Sequence, residues 1–129
     1  MSRDPVDLLH AILDSMVKLD LLVFLYKNPD TIDDAVGLSH WIGHDEEAVR
    51  RALSALEEVG IVERAGKGPD AVYTWTSDPQ VRNAIERFMQ ERFFPRESRL
   101  RLIAEILQRE EREELHGKGA SADGHTGAG

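Results

Sequence analysis

Two adjacent guanidinium groups, Arg50 and Arg51, are the side chains in this sequence best suited to recognition chemistry. Arginine presents a planar fork that pairs bidentately with a guanine edge or with a phosphate. At 100° per residue on a helix, the two arginines share a face with Glu47, Ser54 and Glu58, opposite Val49, Leu53 and Leu56. That placement would put one arginine on a base edge and the other on a phosphate. Arg64 and Lys67 follow, with Lys67 flanked by glycines in Gly66-Lys67-Gly68-Pro69-Asp70. A cation at such a tip either contacts a phosphate or the minor groove, or simply keeps the loop soluble.

The competing reading of the arginines is a solvated face, neutralised by Glu46, Glu47 or Glu58 at helical spacing. The local charge favours that competitor. Residues 45–76 carry four cations (Arg50, Arg51, Arg64, Lys67) against seven anions (Asp45, Glu46, Glu47, Glu57, Glu58, Glu63, Asp70). The acids cluster at the N-terminal end of the helix, the end that usually approaches the DNA groove. Glutamate can accept a hydrogen bond from cytosine, so the acids weaken DNA reading without excluding it. The whole chain, at net charge −8, points the same way, since DNA affinity comes largely from cations that neutralise phosphates.

Other chemistry finds little support. His40 and His44 are four residues apart, a spacing that can set two metal ligands on one helical face, but Gly43 interrupts the helix between them. With no cysteine and no third ligand, no metal site is expected. There is no nucleophile elbow, no phosphate-cradling glycine loop and no paired carboxylates in an apolar setting, so neither an enzyme nor a cofactor is expected. The longest apolar run, Leu21 to Tyr26, is too short to span a bilayer. Arg3, Asp4 and Asp7 precede any apolar run, unlike a signal peptide, and a cytoplasmic protein is expected.

The elements that must position the arginines are legible from spacing. Val49, Ala52, Leu53, Leu56 and Val59 recur at helical intervals, Asp45 is placed to cap, and Gly60 suits a left-handed terminus. Ahead of it, Thr31 to Ile42 reads as a shorter helix with Thr31 as its cap, Asp34 completing an imperfect capping box, and Trp41 packing in the core or an interface. After it, Ile61–Ala65 and Val72–Thr76 read as strands joined by the Lys67 loop.

This helix, turn, helix, glycine, strand order resembles the winged helix-turn-helix of bacterial and archaeal transcriptional regulators, the broad MarR/ArsR/PadR-like group. The matching residues are Leu38, Ile42-Gly43, Val49 to Leu53, Leu56-Glu57 and Gly60-Ile61-Val62, within a core spanning about 16–76. The resemblance implies a mainly α fold of α+β type. It has a three-helix core and a two-stranded β-wing, with further helices at both ends. It also implies that residues 45–59 form the helix that reads double-stranded DNA. Winged helices serve as protein-binding modules too, and a protein partner for an acidic surface remains the alternative.

Outside that core, Asp4-Pro5 starts a helix that reads as continuous from Val6 to Lys27, the alternative being a break near Asp14-Ser15 with Ser15 capping a second helix. Ser77 or Asp78 caps a helix that Pro95 ends, with four-apart pairs Arg82/Glu86 and Arg87/Glu91. A last helix runs from about Arg96 to Leu115, with Leu100, Ile103-Ala104 and Ile106-Leu107 as its apolar positions. Arg92, Arg96, Arg99 and Arg101 form the most basic stretch, read as a salt-bridged helical surface or else as a nucleic-acid or acidic-partner patch. The last helix, assisted by the first, is expected to form a homodimer, or else to fold back on the chain's own first helix. Residues 1–116 thus make one domain, the helical extension spanning 78–115, and the polar stretch 117–129 reads as a disordered tail.

Overall fold

The computed structural model describes residues 4–125, and side chains from Asp4 to Glu114. Helices dominate because most of the chain repeats apolar residues at intervals of three and four, and the first five helices each begin where a short polar side chain satisfies a free amide. Asp4 caps α1 (Pro5–Ile12) by accepting from Val6 N at 2.9 Å. Ser15 caps α2 (Met16–Lys27) through Lys18 N. The second helix is apolar on several sides, and Leu19, Leu21, Leu22 and Leu25 are all buried.

The chain then departs from the expected helix over Thr31–Ile42. Ile32–Asp34 form a strand, β1, and α3 covers only Ala35–Ile42. Asp34, not Thr31, is the cap, accepting from Gly37 N at 2.9 Å. The reason is non-local: β1 pairs antiparallel with β3 (Val72–Trp75), Asp33 opposite Tyr73, so three residues find ladder partners they could not have in a helix. Gly43 ends α3 at φ 71°, and Asp45 caps α4 (Glu46–Glu58). Gly60, at φ 82°, turns the chain into β2 (Val62–Ala65).

The sheet therefore has three strands in the order β1-β3-β2, with the wing hairpin pairing Val62 with Trp75 and Ala65 with Val72. Its loop contains a 3-10 turn at Gly68–Asp70. Asp78 caps α5 (Pro79–Phe88), which continues as a π-helical segment over Met89–Phe93. The turn at Pro95 is held by Arg99, which donates to the carbonyls of Phe93 and Phe94 and lies 5.6 Å from the centroid of the Phe93 ring. Helix α6 (Arg96–His125) then runs back across the molecule. The helix continues past the end expected near Leu115, so residues 117–125 are helical where an irregular tail was expected, and 126–129 lie outside the described residues.

One core joins these layers. Leu22, Leu25, Leu38, Leu53 and Leu56 from the helix-turn-helix meet Ile85 and Phe88 of α5 and Leu102 and Ile106 of α6. The fold is a winged helix with helical additions at both ends. No helix among the described residues is long and apolar enough to cross a membrane.

Candidate nucleic-acid interface

Helix α4 buries Val49, Ala52, Leu53 and Leu56 and turns Glu47, Arg51, Ser54 and Glu58 outward. Val59, expected on the inner stripe, stands 47% exposed at the helix end, because the chain turns away at Gly60 before that stripe is covered. The outer face is thus a ridge of two acids, one arginine and one hydroxyl, with Arg51 at its edge.

Each arginine on this helix has an acidic neighbour one turn back. Arg50 Nε donates to Glu46 Oε2 at 3.0 Å, and its Nη1 reaches Pro69 O of the wing loop at 3.5 Å. The hydrogen bond it donates to Glu46 holds the Arg50 guanidinium above its already high ordinary pKa. Arg51 Nη1 lies 3.7 Å from Glu47 Oε2, and both side chains remain more than two-thirds exposed. An exposed pair of this kind is weak and easily exchanged, whereas Arg50 is held between its own helix and the wing.

The wing cations divide in the same way. Arg64 Nε donates to Glu57 at 3.1 and 3.2 Å, and its Nη1 donates to Gly66 O at 3.0 Å. Lys67 is exposed at the tip, and among the described residues it forms no ion pair. So the candidate residues do not converge on one point. Arg50 and Arg64 bridge α4 and the hairpin, Arg51 with Glu47 and Ser54 faces out from α4, and Lys67 projects from the loop.

The flank of α4 away from the wing carries a feature that no local signal marked. A recess of about 570 Å³ is lined by Lys18 of α2, Ala48 and Arg51 of α4, and Glu110, Glu113 and Glu114 of α6. Glu110 Oε2 accepts the Met16 N–H at 2.7 Å, a carboxylate seated on the first turn of α2. The only hint in the sequence is the acid-rich run Glu110-Glu111-Arg112-Glu113-Glu114, which does not say what it will lie against.

The remaining candidates resolve individually. His44 Nε2 donates to Asp20 Oδ2 at 2.7 Å, while His40 is exposed, so the two imidazoles serve different surroundings. Among the described residues no group of three or more histidines and carboxylates could hold a metal ion. Trp41 is 68% exposed and stacks on Phe24 with ring centroids 6.0 Å apart, a surface position and not a core one. Of the basic stretch, Arg92 donates to Asp7 and to His10, and Arg99 is held by the Pro95 turn. Arg96 and Arg101 stay exposed. The expected Arg82/Glu86 pair does not form: Arg82 Nε donates to Thr76 O at 2.6 Å, while Glu86 accepts from Tyr26 Oη at 2.7 Å and from Gln90. The Arg87–Glu91 pair does form, at 3.6 Å.

No protein-family profile and no curated protein matches this sequence. Among solved structures, the fold is similar to that of a protein of Methanosarcina mazei Go1 described as a possible transcriptional regulator. The two share 24% sequence identity over 83% of this chain and 85% of the other, with a TM-score of 0.51.

Proposed function

We propose that this chain is a DNA-binding transcriptional regulator that works as a homodimer, with α4 as its reading helix and the β2–β3 hairpin as its wing. The observation that carries this reading is the exposed outer face of α4, with Arg51 and Ser54 directed outward beside a hairpin whose Lys67 is unpaired among the described residues. The description of the similar Methanosarcina mazei protein as a possible transcriptional regulator supports it. In this reading Arg51 and Lys67 contact phosphates, Arg50 exchanges Glu46 for a base edge, and Arg64 steadies the wing. Glu47 accepts from a cytosine amino group. The chain is read as a binding protein and not as an enzyme, with no cofactor required.

A second reading is favoured by one specific observation. Arg50 and Arg51 are each already matched by a glutamate, which suits a winged helix that presents an acidic face to a protein partner. Fluorescence anisotropy with random-sequence duplex DNA, repeated across a salt series, separates the two. The regulator reading expects binding at low salt, with log affinity falling linearly against log salt and a slope that counts phosphate contacts. Absence of binding at the lowest salt would instead select the protein-partner reading.

A further inference from the structure

Between α1 and α5, above the end of α4, lies a cleft of about 490 Å³. Its wall is apolar: Leu8, Leu9, Ile12, Val59, Val81 and Ala84 all line it. Ala11 of α1 and Ala84 of α5 put only methyl groups into this lining. Leu8 and Val59 remain 45% and 47% exposed at its mouth, although both carry enough apolar surface to favour burial. The volume is that of a pocket for a small organic molecule.

Among the described residues one charged side chain stands in this lining, and it is an acid. Asp78 shares the rim with Gln80, whose N–H its Oδ1 accepts at 2.9 Å as the cap of α5. Asp78 forms no ion pair among the described residues. The nearest arginine along α5, Arg82, sends its Nε to Thr76 O instead. The N-terminus of α5, which Asp78 caps, offsets part of its charge, but the carboxylate retains the net negative charge of this rim, which attracts a cation and repels an anion beside the low-dielectric wall.

We infer that this cleft binds a small amphiphilic cation, its apolar body between α1 and α5 and its positive group beside Asp78. Such a ligand would touch Val59, the residue that closes α4, and the first turn of α5 together. The site is independent of whether α4 reads DNA, and so is its test.

Tetraphenylphosphonium and tetraphenylborate, ions of one shape and opposite charge, would be titrated into the full chain by isothermal calorimetry. The phosphonium should bind with one-to-one stoichiometry and at least about ten-fold more tightly than the borate. Asp78→Asn keeps an acceptor for the Gln80 N–H, so the helix cap persists while the charge is lost. This variant should bind the phosphonium about ten-fold more weakly with an unchanged melting temperature. Ala84→Leu should weaken binding by narrowing the cleft, and Ala11→Leu, at an exposed position, should do the same without touching the core. Equal affinity for both ions, an Asp78→Asn variant that binds as tightly as the parent, or undiminished binding in a folded Ala11→Leu protein would each overturn the inference. So would a dimer in sedimentation velocity that Val59→Arg dissolves, since a second copy would then occupy the cleft.

Discussion

Arg51 and Arg50 differ less in chemistry than in what already holds them. Arg51 is 69% exposed and paired loosely with Glu47, so DNA can take it over with little rearrangement. Arg50 must leave Glu46 and Pro69 O. Removing the competing carboxylates should therefore help binding. Glu47→Gln is expected to tighten binding to random-sequence DNA at low salt several-fold, whereas Arg51→Ala should weaken it and lower the salt slope by about 1, as one phosphate contact is lost. Both are read by anisotropy, and both variants should melt near the parent temperature, since an exposed i,i+4 pair is worth only about 0.3–0.5 kcal/mol. An unchanged salt slope in Arg51→Ala would remove this residue from the interface.

A second residue-scale expectation concerns Tyr26. Its partial burial against Phe94, followed by its hydrogen bond to Glu86, raises its pKa from 10.0 to about 12. The folded state thus holds the phenol proton more tightly than the unfolded chain does. The resulting stabilisation is complete below the unfolded value and disappears as pH rises through the folded one. Denaturant midpoints followed by circular dichroism should fall between pH 10 and about 12, and Tyr26→Phe should flatten that limb. Glu86 works at the other extreme: hydrogen bonds from Gln90 and then Tyr26 lower its pKa below 4.5, so its contribution is present above that value and is lost on acidification.

At the scale of elements, α1 is secured by polar contacts from α6 as well as by Val6, Leu9 and Leu13 in the core. Arg109 Nη1 donates to the carbonyls of His10 and Leu13, at 2.9 and 3.0 Å, satisfying acceptors at the end of α1 that no helical amide reaches. His10 Nε2 donates to Glu105 at 2.6 Å, and its Nδ1 accepts from Arg92 at 2.7 Å, which ties the π-helical segment to the same corner. Arg109→Ala should cost about 2 kcal/mol in urea unfolding, because hydrogen bonds to a charged donor are lost and partly buried carbonyls are left unmet. Hydrogen exchange should speed up first in α1. The turn between α3 and α4 offers a contrasting case. Nothing crowds Gly43, but its φ of 71° is unfavourable for any residue with a Cβ, so Gly43→Ala should cost about 1 kcal/mol on backbone grounds alone.

At the scale of the molecule, α6 has two faces. Leu102 and Ile106 close the core, while Leu100 and Leu107 remain about half exposed on the opposite side. The inner face folds back on the chain, chiefly against α2 and the π-helical segment and not on α1 as expected, and the outer face is left with large aliphatic groups. An antiparallel second copy centred between Ile103 and Ala104 would set Leu100 against Leu107 and Arg96 against Glu111, matching apolar with apolar and cation with anion. Leu100→Glu combined with Leu107→Glu should convert the proposed homodimer to a monomer in sedimentation equilibrium without lowering the melting temperature of the fold. A parent chain that is monomeric at high concentration would remove the dimer from the proposal.

What the amino-acid order alone determined is what is decided within a turn or two of helix. Asp4, Ser15, Asp45 and Asp78 cap because each needs only an amide two or three residues ahead, and Gly43 and Gly60 end helices because the left-handed conformation is a property of the residue itself. The winged-helix core and the positions of Arg50, Arg51, Arg64 and Lys67 followed from those signals. What only the tertiary structure decided depends on distant partners. Ile32–Asp34 became a strand because β3, some forty residues on, offered it a ladder edge. Arg82 turned from Glu86 to the carbonyl of Thr76, and Glu86 to Tyr26, 60 residues away. Glu110 came to rest on Met16 N, 94 residues back, carrying the acidic end of α6 to the flank of Arg51. Charge and periodicity state what a side chain can pair with. Which partner it meets is settled by the path of the backbone through space, and that path is a property of the packed core as a whole.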